Sequence, residues 1–232
     1  MVDYVKQLME VNDLRGGTYI EPYAGGASVA LNLLMGKYAS RIKINDIDRS
    51  IYAFWYSVLN ETDELCRMVS DTPVTMETWQ AQHELQKHKE EVGLLELGFS
   101  TFFLNRTNRS GILNGGVIGG KDQQGEYKMD ARYNKKDLIE RIKSVADYSD
   151  RIELTSMDAV ALIKRYKRTP GEEEPIGLLL CSEGNTEHIE LMMLDEPNIK
   201  VAQYLTILPD KQWFIDKLNR SILIARELQQ QN

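Results

Sequence analysis

Nine residues, TYIEPYAGG at 18–26, constrain the fold of this chain more than any others. An apolar strand pattern runs directly into a glycine pair, and a helical pattern follows at 27–35. A second strand pattern at 41–47 ends in Asn45, Asp46 and Asp48, and a helix rich in aromatic residues comes next, with Ile51, Tyr52, Phe54, Trp55 and Val58 on it. Strand, tight turn, helix and strand within about 30 residues is the βαβ signature of a nucleotide-binding parallel sheet. The fold class is therefore α/β.

Glycines after a buried strand let the backbone turn sharply and come close to a ligand, while strand ends and a helix N-terminus form the crevice that receives it. Asp46 stands twenty residues beyond Gly26 at the end of the next strand, where a carboxylate can accept hydrogen bonds from ribose hydroxyls. A turn that needs its glycines only for tightness is the alternative. The spacing is not GxGxxG, which argues against a nicotinamide cofactor.

Further along, 61–103 reads as helical and largely polar, with Pro73-Val74-Thr75 as a start signal for a helix over 76–89. From 105 to 134 periodicity is lost, and Gly111, Gly115, Gly116, Gly119, Gly120 and Gly125 fall within fifteen residues. So long a loop is functional or disordered. Helix returns at 135–148, strand at 151–156 and helix at 158–166. The segment KRTPGEEEP at 167–175 reads as an exposed linker. Beyond it come an apolar strand at 176–181, a short helix, another strand and a terminal amphipathic helix.

The formal net charge of −7 speaks against a nucleic-acid partner, but it is unevenly spread. Between Asn105 and Lys143 nine Lys/Arg face five Asp/Glu, whereas 172–216 holds ten acids and two bases. In the basic segment Arg106 and Arg109, with Asn105, Asn108 and Asn114, supply donors and acceptors suited to phosphates and base edges. A solvated polar loop is the plain alternative. No stretch approaches the roughly 20 apolar residues of a membrane span. Two distant cysteines, Cys66 and Cys181, and a start without an apolar leader point to a reducing cytoplasm. Three scattered histidines make no metal site, and none is expected.

Taken in order, EPYAGGA, IKINDID, FFLNRTNRSGILNGGVIGG, GEYKMDARYNKKDLIERI and RIELTSMDA resemble successive landmarks of the Dam-like DNA adenine N6-methyltransferases, over about 15–165. The resemblance implies a truncated Rossmann-like methyltransferase sheet with S-adenosylmethionine as cofactor and double-stranded DNA as partner. Glu21, Pro22, Tyr23, Ala24, Gly25, Gly26 and Ala27 would form the cofactor loop. Asp46 would hold the ribose, and Asp158 would meet the cofactor's adenine ring. A helical and loop-rich insertion at about 61–134 would carry DNA recognition, with Asn105, Arg106, Asn108, Arg109, Ser110, Asn114, Lys121, Arg132, Asn134 and Lys135 as its contacts. Such enzymes flip the target base out of the duplex.

Two family landmarks are missing. Only Leu14-Arg15-Gly16-Gly17 stands where a lysine-containing glycine motif is expected, so the resemblance implies a chain that starts late. The catalytic D-P-P-Y motif does not follow Tyr166; there the chain reads EEEPIGLLLCSEG, and the one look-alike, LDEPN at 194–198, makes Asp195 the single catalytic candidate. The tail at about 170–228 resembles the C-terminal end of a predicted PD-(D/E)XK nuclease family, without that family's catalytic groups. The expectation is thus a methyltransferase-like domain at 1–168 and a small α/β segment at 169–232. Its function would be site-specific binding of cofactor and DNA with impaired transfer. The alternative is a non-catalytic DNA- or partner-binding protein of a restriction-modification or mobile-element system.

Overall fold

The computed structural model of the chain describes residues 1–166. Two compact units divide the chain, one of residues 1–3 and 15–165, the other of residues 4–14 and 166–232. In the second unit the described part is mostly a helix that the sequence reading passed over, α1 (Val2–Val11), with Tyr4, Val5, Leu8 and Met9 buried. Their spacing is that of one helical face. The expected boundary near 168, the apolar strand expected at 176–181 and Asp195 lie outside the described residues.

In the first unit the βαβ expectation is met by β1 (Thr18–Glu21), α2 (Ser28–Met35) and β2 (Arg41–Asn45), and among the described residues β3 (Ile152–Thr155) extends the sheet to the order β1-β2-β3. Both pairings are parallel; Thr18 stands opposite Arg41, and Ile42 opposite Ile152. Successive side chains of a strand point to opposite faces, so Ile42 and Ile44 share the fully buried face of β2 while Arg41 and Lys43 on the other stay at least partly exposed. The crossover helix α2 turns Ala30, Leu33 and Leu34 inward.

The helix α3 (Arg49–Asn60) begins on Asp48, whose side chain accepts from the Ser50 amide at 2.9 Å. This is a side-chain cap that satisfies one otherwise orphan donor. Three further helices follow in the span expected as an insertion, α4 (Thr62–Asp71), α5 (Met76–Lys87) and α6 (Leu94–Thr107). Thr75 caps α5 by accepting from the Thr78 amide at 3.2 Å, so the start signal at 73–75 acts where it was expected.

The polar reading of 61–103 needs correction at its end, because α6 is buried nearly all round from Leu97 to Leu104. A helix apolar on every side belongs in a core. It packs closely on α3, where Gly98 lies against Ala53 and Ser57. Phe54, Phe99, Phe102, Phe103 and Tyr133 gather there, with ring centroids 5.4–6.0 Å apart along the series.

After α6 comes the glycine-rich loop, then α7 (Lys135–Ala146), β3 and α8 (Ala159–Arg165). Among the described residues no helix is long and apolar enough to cross a membrane. Nor do those residues bring together three or more His, Cys, Asp or Glu in a group able to hold a metal ion.

Candidate functional site

The carboxyl ends of β1, β2 and β3 lie side by side, and the residues that follow each strand are hydrogen-bonded across the gap between them. Asp46 ties the glycine turn to β2: its Oδ2 accepts from the Gly25 amide at 3.0 Å, and its Oδ1 accepts from the Asp48 amide at 3.0 Å. Each carboxylate oxygen has a second lone pair to offer. Gly25 and Ala27 both take left-handed backbone angles, φ +46° in each case, so the turn departs from ordinary L-residue geometry twice in three positions. Trp55 of α3 holds the turn from the other side, its Nε1 donating to the Gly25 carbonyl at 2.9 Å.

The other residues of the expected cofactor loop divide by role. Pro22 gives its carbonyl to the Asn45 side chain at 2.9 Å, and Ala24 donates its amide to the Asn45 carbonyl at 2.8 Å. Tyr23 is 69% exposed. Gly26 has an ordinary φ, and a Cβ placed on it would meet nothing within 4 Å, so neither backbone strain nor crowding requires glycine there. Glu21 turns toward α2, whose first residue is preceded by Ala27 without a side-chain cap, and accepts from the Ala30 amide at 3.0 Å. Burial raises its carboxyl above the usual glutamate range, and the Ala30 bond offsets this only in part. Asp158 is exposed and begins α8, with Oδ1 accepting from the Ala161 amide at 3.0 Å.

A cleft of about 460 Å³ opens at the ends of β2 and β3, lined by Ile47, Arg49, Tyr52, Lys89, Glu90 and Ser156. Ile47 directly follows Asp46 and is 64% exposed; Ser156 lies two residues before Asp158. Sequence reasoning had passed over both, although an apolar residue just after a strand-end acid was the available signal. Lys89 closes one wall by donating to Asp48 Oδ1 at 3.0 Å. Burial alone would push the Asp48 carboxyl up, but the Ser50 and Lys89 hydrogen bonds outweigh it and hold the group below the usual aspartate range.

The glycine-rich loop is a built structure. Asn108 is 0% exposed: its Nδ2 donates to the carbonyls of Ile112 and Leu113, both at 2.9 Å, and its Oδ1 accepts from Trp79 Nε1 at 2.6 Å. Its side chain thus shapes the loop from inside instead of facing solvent. Gln123 is a second hub, donating to Ile118 and Gly120 carbonyls and accepting from the Met129 amide. Asn105 donates to the Gly111 carbonyl at 3.1 Å and accepts from Arg106 Nε at 3.1 Å, while Arg132 donates to the carbonyls of Asn105 and Asn108. Asn134 caps α7, and Lys135 closes the end of α4 by donating to the Ser70 and Thr72 carbonyls. Arg109, Ser110, Asn114 and Lys121 stand exposed, with Ser110 in a left-handed conformation.

Trp79, Arg109, Gly116, Val117, Gly120 and Lys121 line a second cleft, of about 230 Å³. Among the described residues, Arg106, Arg109, Arg132 and Arg141 have no carboxylate within 4.0 Å. Arg106 is half-buried, and burial first, then the neighbouring charges of Arg132 and Arg141, lower its guanidinium below the ordinary range. Four cations without a carboxylate close by make a surface that favours an anion.

Comparison with known proteins bears on the same span. The family model of the D12 class N6 adenine-specific DNA methyltransferases matches residues 1–168, which takes in both clefts and the whole loop. No curated protein matches the chain significantly. The chain belongs to the D12 class of N6 adenine-specific DNA methyltransferases.

Proposed function

We propose that the chain binds S-adenosylmethionine at the carboxyl ends of β1 to β3 and double-stranded DNA across the loop after α6, with its own methyl transfer impaired. The observation that carries the cofactor reading is the Asp46–Gly25 hydrogen bond, which joins the strand-end acid to the glycine turn. The residues present fit the group. Gly26 leaves bare backbone where the fold needs none, a feature suited to close approach by a ligand. Asp46 retains lone pairs for ribose hydroxyls, exposed Ile47 offers an apolar face to a purine, and the second oxygen of Asp158 can accept from an exocyclic amine. When bound, S-adenosylmethionine supplies a sulfonium methyl group.

On the DNA side, the arginines that no carboxylate neutralises suit a phosphate backbone, which attracts Lys and Arg and releases counterions on contact. Exposed Arg109, Ser110, Asn114 and Lys121 would reach the duplex, while Asn105, Asn108 and Arg132 hold the loop that presents them. A base buried in the stack cannot approach a methyl donor, so the target adenine would be extruded. The motif that would receive it, a carboxylate and carbonyl for the amine with an aromatic ring for stacking, is not in the sequence after Tyr166. That departure supports impaired transfer, and it favours a second reading, a DNA- or partner-binding protein of a restriction-modification or mobile-element system, acting in a reducing cytoplasm.

Two measurements test the proposal. Calorimetric titration of the 232-residue chain with S-adenosylmethionine should give saturable binding, with NAD as the control. Binding of NAD alone would overturn the cofactor assignment. Transfer of labelled methyl to adenine in a duplex should be far below that of an intact family member; vigorous transfer would overturn the impairment.

A further inference from the structure

We propose that Asn45 is the positioning residue of the cofactor crevice, one buried carboxamide that sets the glycine turn and the Met157–Asp158 segment at a fixed separation. The inference rests on the S-adenosylmethionine reading above. Asn45 ends β2 and is 1% exposed. Its Nδ2 donates to the Pro22 and Met157 carbonyls, each at 2.9 Å, and its Oδ1 accepts from Thr155 Oγ1 and the Met157 amide, each at 2.8 Å. Two donors and two lone pairs are the full capacity of a primary amide, and all four are in use.

The sheet ladder explains why such a bridge is needed. Pairing of β1 with β2 stops at Glu21 opposite Ile44, and pairing of β2 with β3 stops at Asn45 opposite Thr155. The proposed ligand-holding residues lie just past those ends, where the ladder gives way to single backbone bonds, Ala24 to the Asn45 carbonyl at 2.8 Å and Asp46 to the Thr155 carbonyl at 3.2 Å. The Asn45 side chain takes over at that point, reaching Pro22 beyond β1 and Met157 beyond β3. A buried amide costs stability unless it is bonded, so an aliphatic residue would fill a strand end at least as well. What an aliphatic residue cannot do is fix two loop carbonyls and a loop amide at once.

The test compares S-adenosylmethionine affinity, by calorimetry on the full chain, for wild type, Asn45→Asp, Asn45→Ala and Thr155→Val at about pH 5.5 and about pH 8. A carboxylate at position 45 would face the Pro22 and Met157 carbonyls with no hydrogen to give, whereas a protonated carboxyl can donate once. Around the strand ends the acids Glu21, Asp46, Asp48 and Asp158 favour that proton, while Arg49, Lys89 and Arg165 oppose it; Lys89 is already engaged by Asp48 and Arg165 by the Met157 sulfur. Asn45→Asp should therefore bind on the order of tenfold more weakly than wild type at the higher pH and regain part of the difference at the lower one. Asn45→Ala should be weak at both. Thr155→Val removes one of the four bonds and should cost about twofold to fivefold.

If wild type binds and the variants match it at both pH values, the positioning role is overturned. If wild type itself fails to bind, the cofactor reading falls instead. Should the Asn45 variants not fold, Thr155→Val decides alone, and unchanged affinity refutes the proposal.

Discussion

Trp55 and Gly25 are thirty residues apart in sequence and joined by one hydrogen bond, from the indole Nε1 to the glycine carbonyl at 2.9 Å. Asp46 takes the same glycine by its amide, so both polar groups of the Gly25 backbone are held by side chains. Trp55→Phe keeps an aromatic ring at this buried position and removes the donor together with the five-membered part of the indole. The variant should remain folded and lose about threefold to tenfold in S-adenosylmethionine affinity, the size of one net hydrogen bond. Titration calorimetry reads this directly, and an unchanged dissociation constant would show that the turn does not need the indole.

Gly26 separates a glycine required by the fold from one required by a ligand. A methyl group there has open space and an ordinary φ, so Gly26→Ala should leave the melting temperature unchanged or slightly raised, since alanine reduces the freedom of the unfolded chain. Cofactor affinity should nonetheless drop by on the order of tenfold, because the methyl stands where backbone and ligand are proposed to meet. Equal binding by the variant and wild type would mean that no ligand approaches this backbone.

Glu21 gives a pH dependence with a definite sign. Burial, partly offset by the Ala30 amide, raises its carboxyl in the folded protein, so the folded state holds that proton more tightly than the unfolded chain. Its contribution to stability is complete below the unfolded-state pKa, and it is lost as pH rises through the folded-state value. Glu21→Gln keeps an acceptor for Ala30 and never ionises. Thermal melts from about pH 4 to about pH 7 should show wild type losing stability relative to the variant as pH increases. Parallel curves would remove Glu21 from the account.

Gly98 marks the closest approach of α6 to α3. A Cβ there would lie 2.5 Å from the Ala53 carbonyl and would collide with Ser57 Oγ. Alanine favours a helix by about 0.5–1 kcal/mol over glycine, yet overpacking costs about 1–3 kcal/mol, and here the obstacle includes backbone. Gly98→Ala should therefore be destabilising in a urea titration. A variant as stable as wild type would show that the two helices separate easily.

The βαβ start, the parallel sheet and the capped start of α5 were legible because each rests on local chemistry: alternation in RIKIN, a glycine pair, Thr75 before a helical pattern. Legibility fails where tertiary packing decides. Nothing in LNRTNRS distinguishes Asn105, half-exposed beside Arg106, from Asn108, wholly enclosed and bonded to Trp79 from another helix. The resemblance makes Asn134 and Lys135 DNA contacts; that Asn134 also caps α7 and Lys135 bonds the last carbonyls of α4 could not be read from the sequence. Asn45 escaped notice for a similar reason, since a polar residue beside an acid looks like a strand end. Its role appears only when three strand ends, one of them more than a hundred residues away, are seen together.

Arg106 is the sharpest test of the DNA surface, because it is half-buried, bonded to Asn105 and without a carboxylate within 4.0 Å. Burial first, then the charges of Arg132 and Arg141, make its own charge harder to hold, and an incoming phosphate would offset both. Arg106→Ala should weaken duplex binding across sequences and reduce the slope of log affinity against log salt by about one contact. Arg106→Lys keeps the charge but not the fork that grips Asn105, so it should retain most of the salt slope while losing part of the affinity. Binding isotherms at several salt concentrations separate the two effects. If both variants keep wild-type affinity and slope, the arginine cluster lies outside the DNA interface, and the loop must meet the duplex through Arg109 and Lys121 instead.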